Sequence, residues 1–180
     1  VLGLAPANAG LVLLCMPLIM AFSSPVTGWL SDRFGSRLLS SLGMALTCVG
    51  LLTLSTLTIK SSTLDVIVGL LIIGVGMGAF SAPNTSAVMG SVEKADLGIA
   101  AGTLATMRFV GQSMSLAIMG AVTATAIPSA ALSELLLGLQ SEVGSIAAEA
   151  FVRGIRGAFL VSGFIAGLGV LTSLVRGKRK

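Results

Sequence analysis

Five long apolar runs, separated by short polar or charged stretches, organise this sequence. A helix needs about 20 apolar residues to cross the roughly 30 Å hydrocarbon core of a bilayer. Each run reaches that length, so the pattern predicts an all-α membrane protein with five transmembrane helices. The predicted spans are residues 7–30, 38–59, 66–89, 99–127 and 155–175.

The charges between the spans predict how the chain is oriented, because Lys and Arg concentrate on the cytoplasmic side of membrane proteins. The turn after the first span, the loop 90–98 and the tail 176–180 fall on one side of a five-span layout. That side holds the larger basic set, namely Arg33, Arg37, Lys94, Arg176, Lys178, Arg179 and Lys180. The other side holds Lys60, Arg153 and Arg156. We therefore predict a multi-pass protein of the plasma (inner) membrane with a cytoplasmic C-terminus.

Residues 128–154 are too polar for a span. Their apolar residues recur at helical spacing, and Glu134, Glu142 and Glu149 interrupt the pattern. This favours an amphipathic helical segment on the outer surface. Two roles remain open for it: a connector shielded against the bundle, or an acidic vestibule that attracts cations.

Composition narrows the functional classes. The chain is 54% hydrophobic and 10% charged, whereas soluble domains carry about 25% charged residues. It has no histidine, which removes His-based metal sites and Ser–His or Cys–His nucleophile pairs. The net charge of +4 lies largely in the tail after the last span, which indicates a membrane anchor and not a nucleic-acid surface. We predict no enzyme activity, no metal and no cofactor.

The turn between the first two spans has the most distinctive chemistry. Asp32 closely precedes the second span, where free N–H groups and the helix dipole favour a carboxylate. Arg33 and Arg37 can pair with Asp32 or with groups on neighbouring helices, and Gly28 and Gly35 permit close contact and a sharp reversal. Such a turn is either a gate that closes and releases the cytoplasmic face or a simple positive-inside hairpin.

The same turn carries a family resemblance. Its residues Gly28, Leu30, Asp32, Arg33, Gly35 and Arg37 match the G-x-L-x-D-R-x-G-x-R loop motif of the major facilitator superfamily. In that family the motif lies between two spans, recurs in both halves of the protein, and is thought to stabilise one state of alternating access. The resemblance therefore implies a gating role for these residues.

Later residues resemble the C-terminal half of the fourteen-span drug:proton antiporters, the EmrB/QacA type. They are Gly74 to Gly78, Pro83, Gly98, Gly102, Arg108, Gly111 and Leu116 to Ile118. This resemblance implies an incomplete six-helix C-terminal half, with residues 1–180 as a fragment of that transmembrane domain. The start at Val1 and the odd number of spans also favour a fragment whose N-terminal half is missing.

Arg108 is a second candidate, because it lies about ten residues, or roughly 15 Å, into the fourth predicted span. A charge at that depth is unfavourable unless it is paired or hydrated. Gln112 and Ser115 share its helix face. Arg108 and Gln112 either line a translocation path or form a structural contact with helix-end carbonyls.

Asn84 is the third candidate. It follows Pro83 in a glycine-rich span, and its side chain can satisfy a carbonyl that the proline leaves free. Such a kink can line a cavity, and close helix packing explains the same pattern equally well.

These observations predict a secondary transporter, most concretely a multidrug exporter of amphipathic small molecules with the proton as coupling ion. Its partners would be the lipid bilayer and the missing half of the same chain. The alternatives are a transporter of another small metabolite and a non-transporting membrane subunit. No Asp or Glu lies mid-span, so a coupling carboxylate is expected in the missing half.

Overall fold

The computed structural model describes residues 6–58, 61–126 and 143–175, and their regular structure is entirely helical. A single 3-10 turn, Lys94–Asp96, precedes the fourth helix. The long helices are α1 (Pro6–Phe34), α2 (Ser36–Ser55), α3 (Thr63–Met89), α4 (Leu97–Ala126) and α5 (Val143–Val175). The predicted all-α fold class is confirmed.

Four described helices, α1, α2, α3 and α5, are long and apolar enough to cross a membrane. The remaining helix, α4, has 30 residues and is about 45 Å long. That helix is not among the four. It corresponds to the fourth predicted span, 99–127, and is long enough to cross a bilayer.

The last helix differs from its prediction at the N-terminal end. It begins at Val143 and not at 155, so residues 143–154 continue the helix of the last span. Alanines at 147, 148 and 150 favour this continuation, because alanine has the highest helix propensity. The other part of the predicted amphipathic segment, 128–142, and the basic tail, 176–180, lie outside the described residues.

The third helix starts at a well-formed cap. Ser62 accepts a hydrogen bond from the Leu64 N–H at 3.0 Å, and the Asp65 carboxylate accepts one from the Ser62 N–H at 2.8 Å. This reciprocal capping box satisfies backbone donors that the first helical turn leaves free. Asp65 therefore has a structural role at the end of a span.

Glycines bring α2 and α3 into backbone contact. A Cβ at Gly43 would lie 2.6 Å from the Gly76 carbonyl oxygen, and one at Gly76 would lie 2.6 Å from the Thr47 amide nitrogen. Gly50 and Gly69 extend the same seam one heptad along each helix. Since lipid gives no hydrophobic drive for helix association, such close approach supplies van der Waals contact instead.

Other faces of α2 and α3 hold the outer helices. Gly74 and Gly78 of α3 face α1, and the Thr27 hydroxyl lies 3.0 Å from the Gly78 carbonyl oxygen. On α2, the Cys48 thiol donates to the Gly163 carbonyl of α5 at 3.2 Å. The α2–α3 pair is therefore the centre of the bundle, and most large apolar side chains face outwards.

Candidate functional site

The charged turn is much shorter than the sequence suggests. We predicted a connection over residues 31–37, but α1 continues to Phe34 and α2 begins at Ser36. Only Gly35 separates them, with φ 87° and ψ 141°, a conformation that L side chains rarely adopt. Its N–H donates to the Ser31 carbonyl at 2.9 Å and closes the reversal.

Asp32 does not lie against the free N–H groups at the start of the second helix, where a carboxylate was expected. It lies in the last turn of α1, its side chain is exposed, and the N-terminus of α2 has no side-chain cap. The negative end of the α1 dipole disfavours a carboxylate there. The acid is therefore presented outwards, where a positively charged group of another surface can reach it.

The two arginines of the motif take different positions. Arg33 lies over the Trp29 ring, with its guanidinium carbon 4.4 Å from the ring centroid. Such a cation–π contact contributes about 0.5–1 kcal/mol at an exposed site and leaves the guanidinium edge available for hydrogen bonds. Arg37 is exposed in the first turn of α2, where the helix dipole disfavours a cation. Neither arginine forms an ion pair with Asp32.

A rigid base supports this turn. A Cβ at Gly28 would lie 3.9 Å from the Ala82 Cβ, so α1 passes close to α3 just before the reversal. Ser31 and Ser40 are buried, at 8% and 2% exposure, on either side of it. The Ser40 hydroxyl has no hydrogen-bond partner among the described residues. The charged side chains of the motif turn thus project from the end of the bundle where α1, α2 and α3 pack together.

Asn84 is half-buried in α3, directly after Pro83, which is fully buried. The helix is continuous through both residues. Its neighbour Ala82 faces Gly28, so Asn84 belongs to the part of α3 that supports the motif turn. A role in a translocation path stays a prediction.

Arg108 and Gln112 lie on α4, apart from the motif turn. Both are exposed on α4, which contacts α3 and α5 but neither α1 nor α2. A pocket of about 390 Å³ lies between α4 and α5; Ser115 lines it, whereas Arg108 and Gln112 do not. The structure thus unites the motif residues at one helix junction and keeps Arg108 and Gln112 apart from them.

Sequence reasoning missed two contacts. The Arg156 Nε donates to the Ser55 carbonyl at 2.7 Å and thereby joins α5 to the C-terminal end of α2. No local signal marks that pair, since its members are 101 residues apart. The Trp29–Arg33 contact had an available signal, because residues four apart on a helix are neighbours.

The comparisons with known proteins agree with this architecture. The family model described as Major Facilitator Superfamily matches residues 1–180. The uncharacterized transporter YebQ of Escherichia coli is 32% identical over 66% of this chain and 26% of its own length. The riboflavin transporter RibZ of Clostridioides difficile is 35% identical over 58% of this chain and 23% of its own length. The multidrug resistance protein Stp of Mycobacterium tuberculosis is 33% identical over 68% of this chain and 22% of its own length.

The chain belongs to the major facilitator superfamily, because the family model covers it from end to end. It spans about a quarter of the length of these curated relatives. No solved structure matches it significantly. The relatives are transporters by name, and the family and the apolar helices indicate a multi-pass membrane protein.

Proposed function

We propose that this chain is part of a multidrug exporter that works by proton-coupled alternating access. In that proposal it supplies the C-terminal half of a fourteen-span antiporter of the EmrB/QacA type. The observation that carries the proposal is the one-residue turn at Gly35, which presents Asp32, Arg33 and Arg37 from a packed base. An inflexible turn with exposed charges of both signs is suited to reversible contact with a facing surface.

The energies of such contacts support the proposed gating role. A hydrogen bond to a charged group contributes about 1.5–3 kcal/mol. Changing a two-state equilibrium from 1:99 to 99:1 requires about 5.5 kcal/mol. Two contacts from this turn at the upper end of that range, or three near its middle, supply the required difference if they are made in one state and absent in the other.

The coupling site is proposed to lie outside the described residues. Within these residues, the carboxylates of the long helices lie near helix ends: Asp32 in the last turn of α1, Asp65 in the first turn of α3 and Glu149 near the start of α5. Proton antiport needs a titratable group within the membrane. We assign that group to the rest of the protein.

The substrate class is proposed from the relatives. The name of Stp supports drug export, and the name of RibZ supports the alternative of a small metabolite. A drug-sensitivity panel in cells with and without the complete protein separates the two. Protection against several unrelated amphipathic drugs supports export, and protection against none favours the metabolite.

The gating role is tested in the full-length protein with Asp32→Asn and Arg33→Ala. Both variants should reach the membrane in normal amounts and transport more slowly. Asp96→Asn is the matched control, since Asp96 is an exposed acid in the 3-10 turn before α4 and lies outside the motif. Wild-type transport in both motif variants refutes the gating role, and no transport by the wild-type protein favours a non-transporting subunit.

The proposed location is the plasma (inner) membrane, with the motif turn and the C-terminus in the cytoplasm. Fusion of a reporter that is active only in the cytoplasm to the C-terminus tests it. A fluorescent fusion supports the orientation, and activity of a reporter that works only outside overturns it.

A further inference from the structure

Arg108 lies where an unpaired arginine is energetically unfavourable. It follows Leu97, the first residue of α4, by 11 residues, and thus lies about 17 Å along the helix. The hydrocarbon core of a bilayer is about 30 Å thick, so this depth is near its middle if α4 spans it. The side chain is exposed, and no described residue forms an ion pair or hydrogen bond with it.

The helix face that carries Arg108 also carries small residues. Gly111 and Ser115 continue the Arg108 stripe at helical spacing. Both line the pocket of about 390 Å³ between α4 and α5, and Ser162 and Ala166 form its opposite wall. Met114, Ile118 and Ile165 complete the lining, so the groove offers an apolar surface with small side chains on both walls where another helix can approach closely.

The other half of the bundle shows what fills such a groove. There α3 packs against both α1 and α2, with Gly74 and Gly78 on one side and Gly69 and Gly76 on the other. Among the described residues, α4 has α5 as its main neighbour and only a small contact with α3. The groove lined by Gly111 and Ser115, about one helical turn from Arg108, is therefore open within the described part of the chain.

We propose that this groove is filled by a transmembrane helix that carries a carboxylate, and that the carboxylate pairs with Arg108. The helix belongs to the remainder of the longer protein, since the curated relatives are about four times as long as the stretch they share with this chain. Charge complementarity selects the acid: an arginine in hydrocarbon needs a counter-charge, and a carboxylate accepts two parallel hydrogen bonds from it. Gln112, one turn further along the same helix, can donate to or accept from the same neighbour.

Two other environments of α4, lipid and a water-filled cavity, lead to different expectations for Arg108. If α4 faces lipid, Arg108 extends its side chain towards the interface, and the helix surface contacts acyl chains. If α4 lines a water-filled cavity, Arg108 is hydrated and needs no fixed partner. Neither environment creates a specific energetic coupling between Arg108 and one acid.

The first experiment is a double-mutant cycle in the complete protein, with thermal stability in detergent as the readout. Arg108→Gln should lower Tm by roughly 5 °C or more, because it leaves a buried carboxylate without its partner. Arg153→Gln, at an exposed arginine of α5, is the control and should change Tm little. Neutralising the partner acid, found by substituting each intramembrane Asp or Glu in turn, should restore much of the loss when combined with Arg108→Gln.

An unchanged Tm in Arg108→Gln, or additive losses with every acid, overturns the proposal. These measurements do not depend on transport, so they are independent of the proposed function.

The second experiment measures accessibility and does not depend on the Arg108→Gln variant. In a protein with Cys15 and Cys48 replaced, single cysteines are introduced by Gln112→Cys and Ser115→Cys. A docked helix should shield both from a water-soluble thiol reagent, at least tenfold relative to Ser91→Cys in the exposed loop before α4. Labelling at the rate of Ser91→Cys indicates a wet cavity and overturns the proposal. Single cysteines on the helix that carries the acid should form a disulfide with Ser115→Cys under oxidation, and cross-linking to no other helix counts against it.

Discussion

Replacing Gly43 by alanine should separate α2 from α3. The added Cβ would lie 2.6 Å from the Gly76 carbonyl oxygen and 2.6 Å from the Phe80 amide nitrogen. Ordinary contact begins at 3.4 Å, so the helices must move apart by about 0.8 Å, the difference between 3.4 and 2.6 Å. Both obstacles are backbone atoms of a continuous helix, so a side-chain rotation cannot relieve them.

Gly43→Ala changes the free energy of unfolding in two directions: poorer packing destabilises the fold, whereas higher helix propensity stabilises it. Overpacking in a tight interface costs about 1–3 kcal/mol. A gap of 0.5–1 Å also removes about a quarter to a half of each dispersion contact along the seam. Alanine gains about 1 kcal/mol over glycine in helix propensity. The comparison that isolates packing is therefore with a glycine-to-alanine change in open space, at Gly102, where a Cβ meets nothing within 4 Å.

The assay is thermal denaturation of the full-length protein in detergent, followed by size-exclusion chromatography. Gly43→Ala should melt about 5 °C below Gly102→Ala, and Gly76→Ala should behave like Gly43→Ala because it enters the same seam. The Gly43→Ala/Gly76→Ala double variant should lose less than the sum, since both changes separate the same two helices. Equal melting of Gly43→Ala and Gly102→Ala would show that the seam is not close-packed.

Three further substitutions test other parts of the structure. Gly35→Ala should destabilise the α1–α2 junction by about 1–3 kcal/mol, because φ 87° strains an L residue; a wild-type Tm would contradict this. Ser62→Ala removes the α3 cap and should cost about 1 kcal/mol, seen as faster amide exchange in the first turn of α3 and nowhere else. Arg156→Gln loses the 2.7 Å contact with the Ser55 carbonyl and should cost about 1–3 kcal/mol, with faster exchange at the C-terminal end of α2; unchanged exchange there would contradict it.

The fold class could be read from the chain because its signal is repeated and one-dimensional. Runs of about 20 apolar residues have few stable alternatives to a membrane helix, since lipid leaves no other way to satisfy the backbone. The ends of the helices were harder to predict from the sequence than their existence. The extension of α5 back to Val143 depends on local helix propensity in a stretch whose polar residues suggested a separate element.

The candidate site was predicted in composition but not in geometry. The residue types at Asp32, Arg33 and Arg37 and their family resemblance identified the turn. The expected favourable placement of Asp32 at the start of the second span was wrong, because α1 continues past this residue and the reversal needs only Gly35. A pattern of charges does not reveal at which residue a helix stops when both flanking segments favour helix.

The sequence by itself determined the helical membrane class, the glycine positions and the family motif. Each of these depends on residues close together in the chain. Only the tertiary structure decided that Gly43 meets Gly76, that Arg156 holds the end of α2, and that Gly111 and Ser115 line an open groove between α4 and α5. These facts depend on how helices distant in sequence pack in space, and many pairings of small residues satisfy the same one-dimensional pattern.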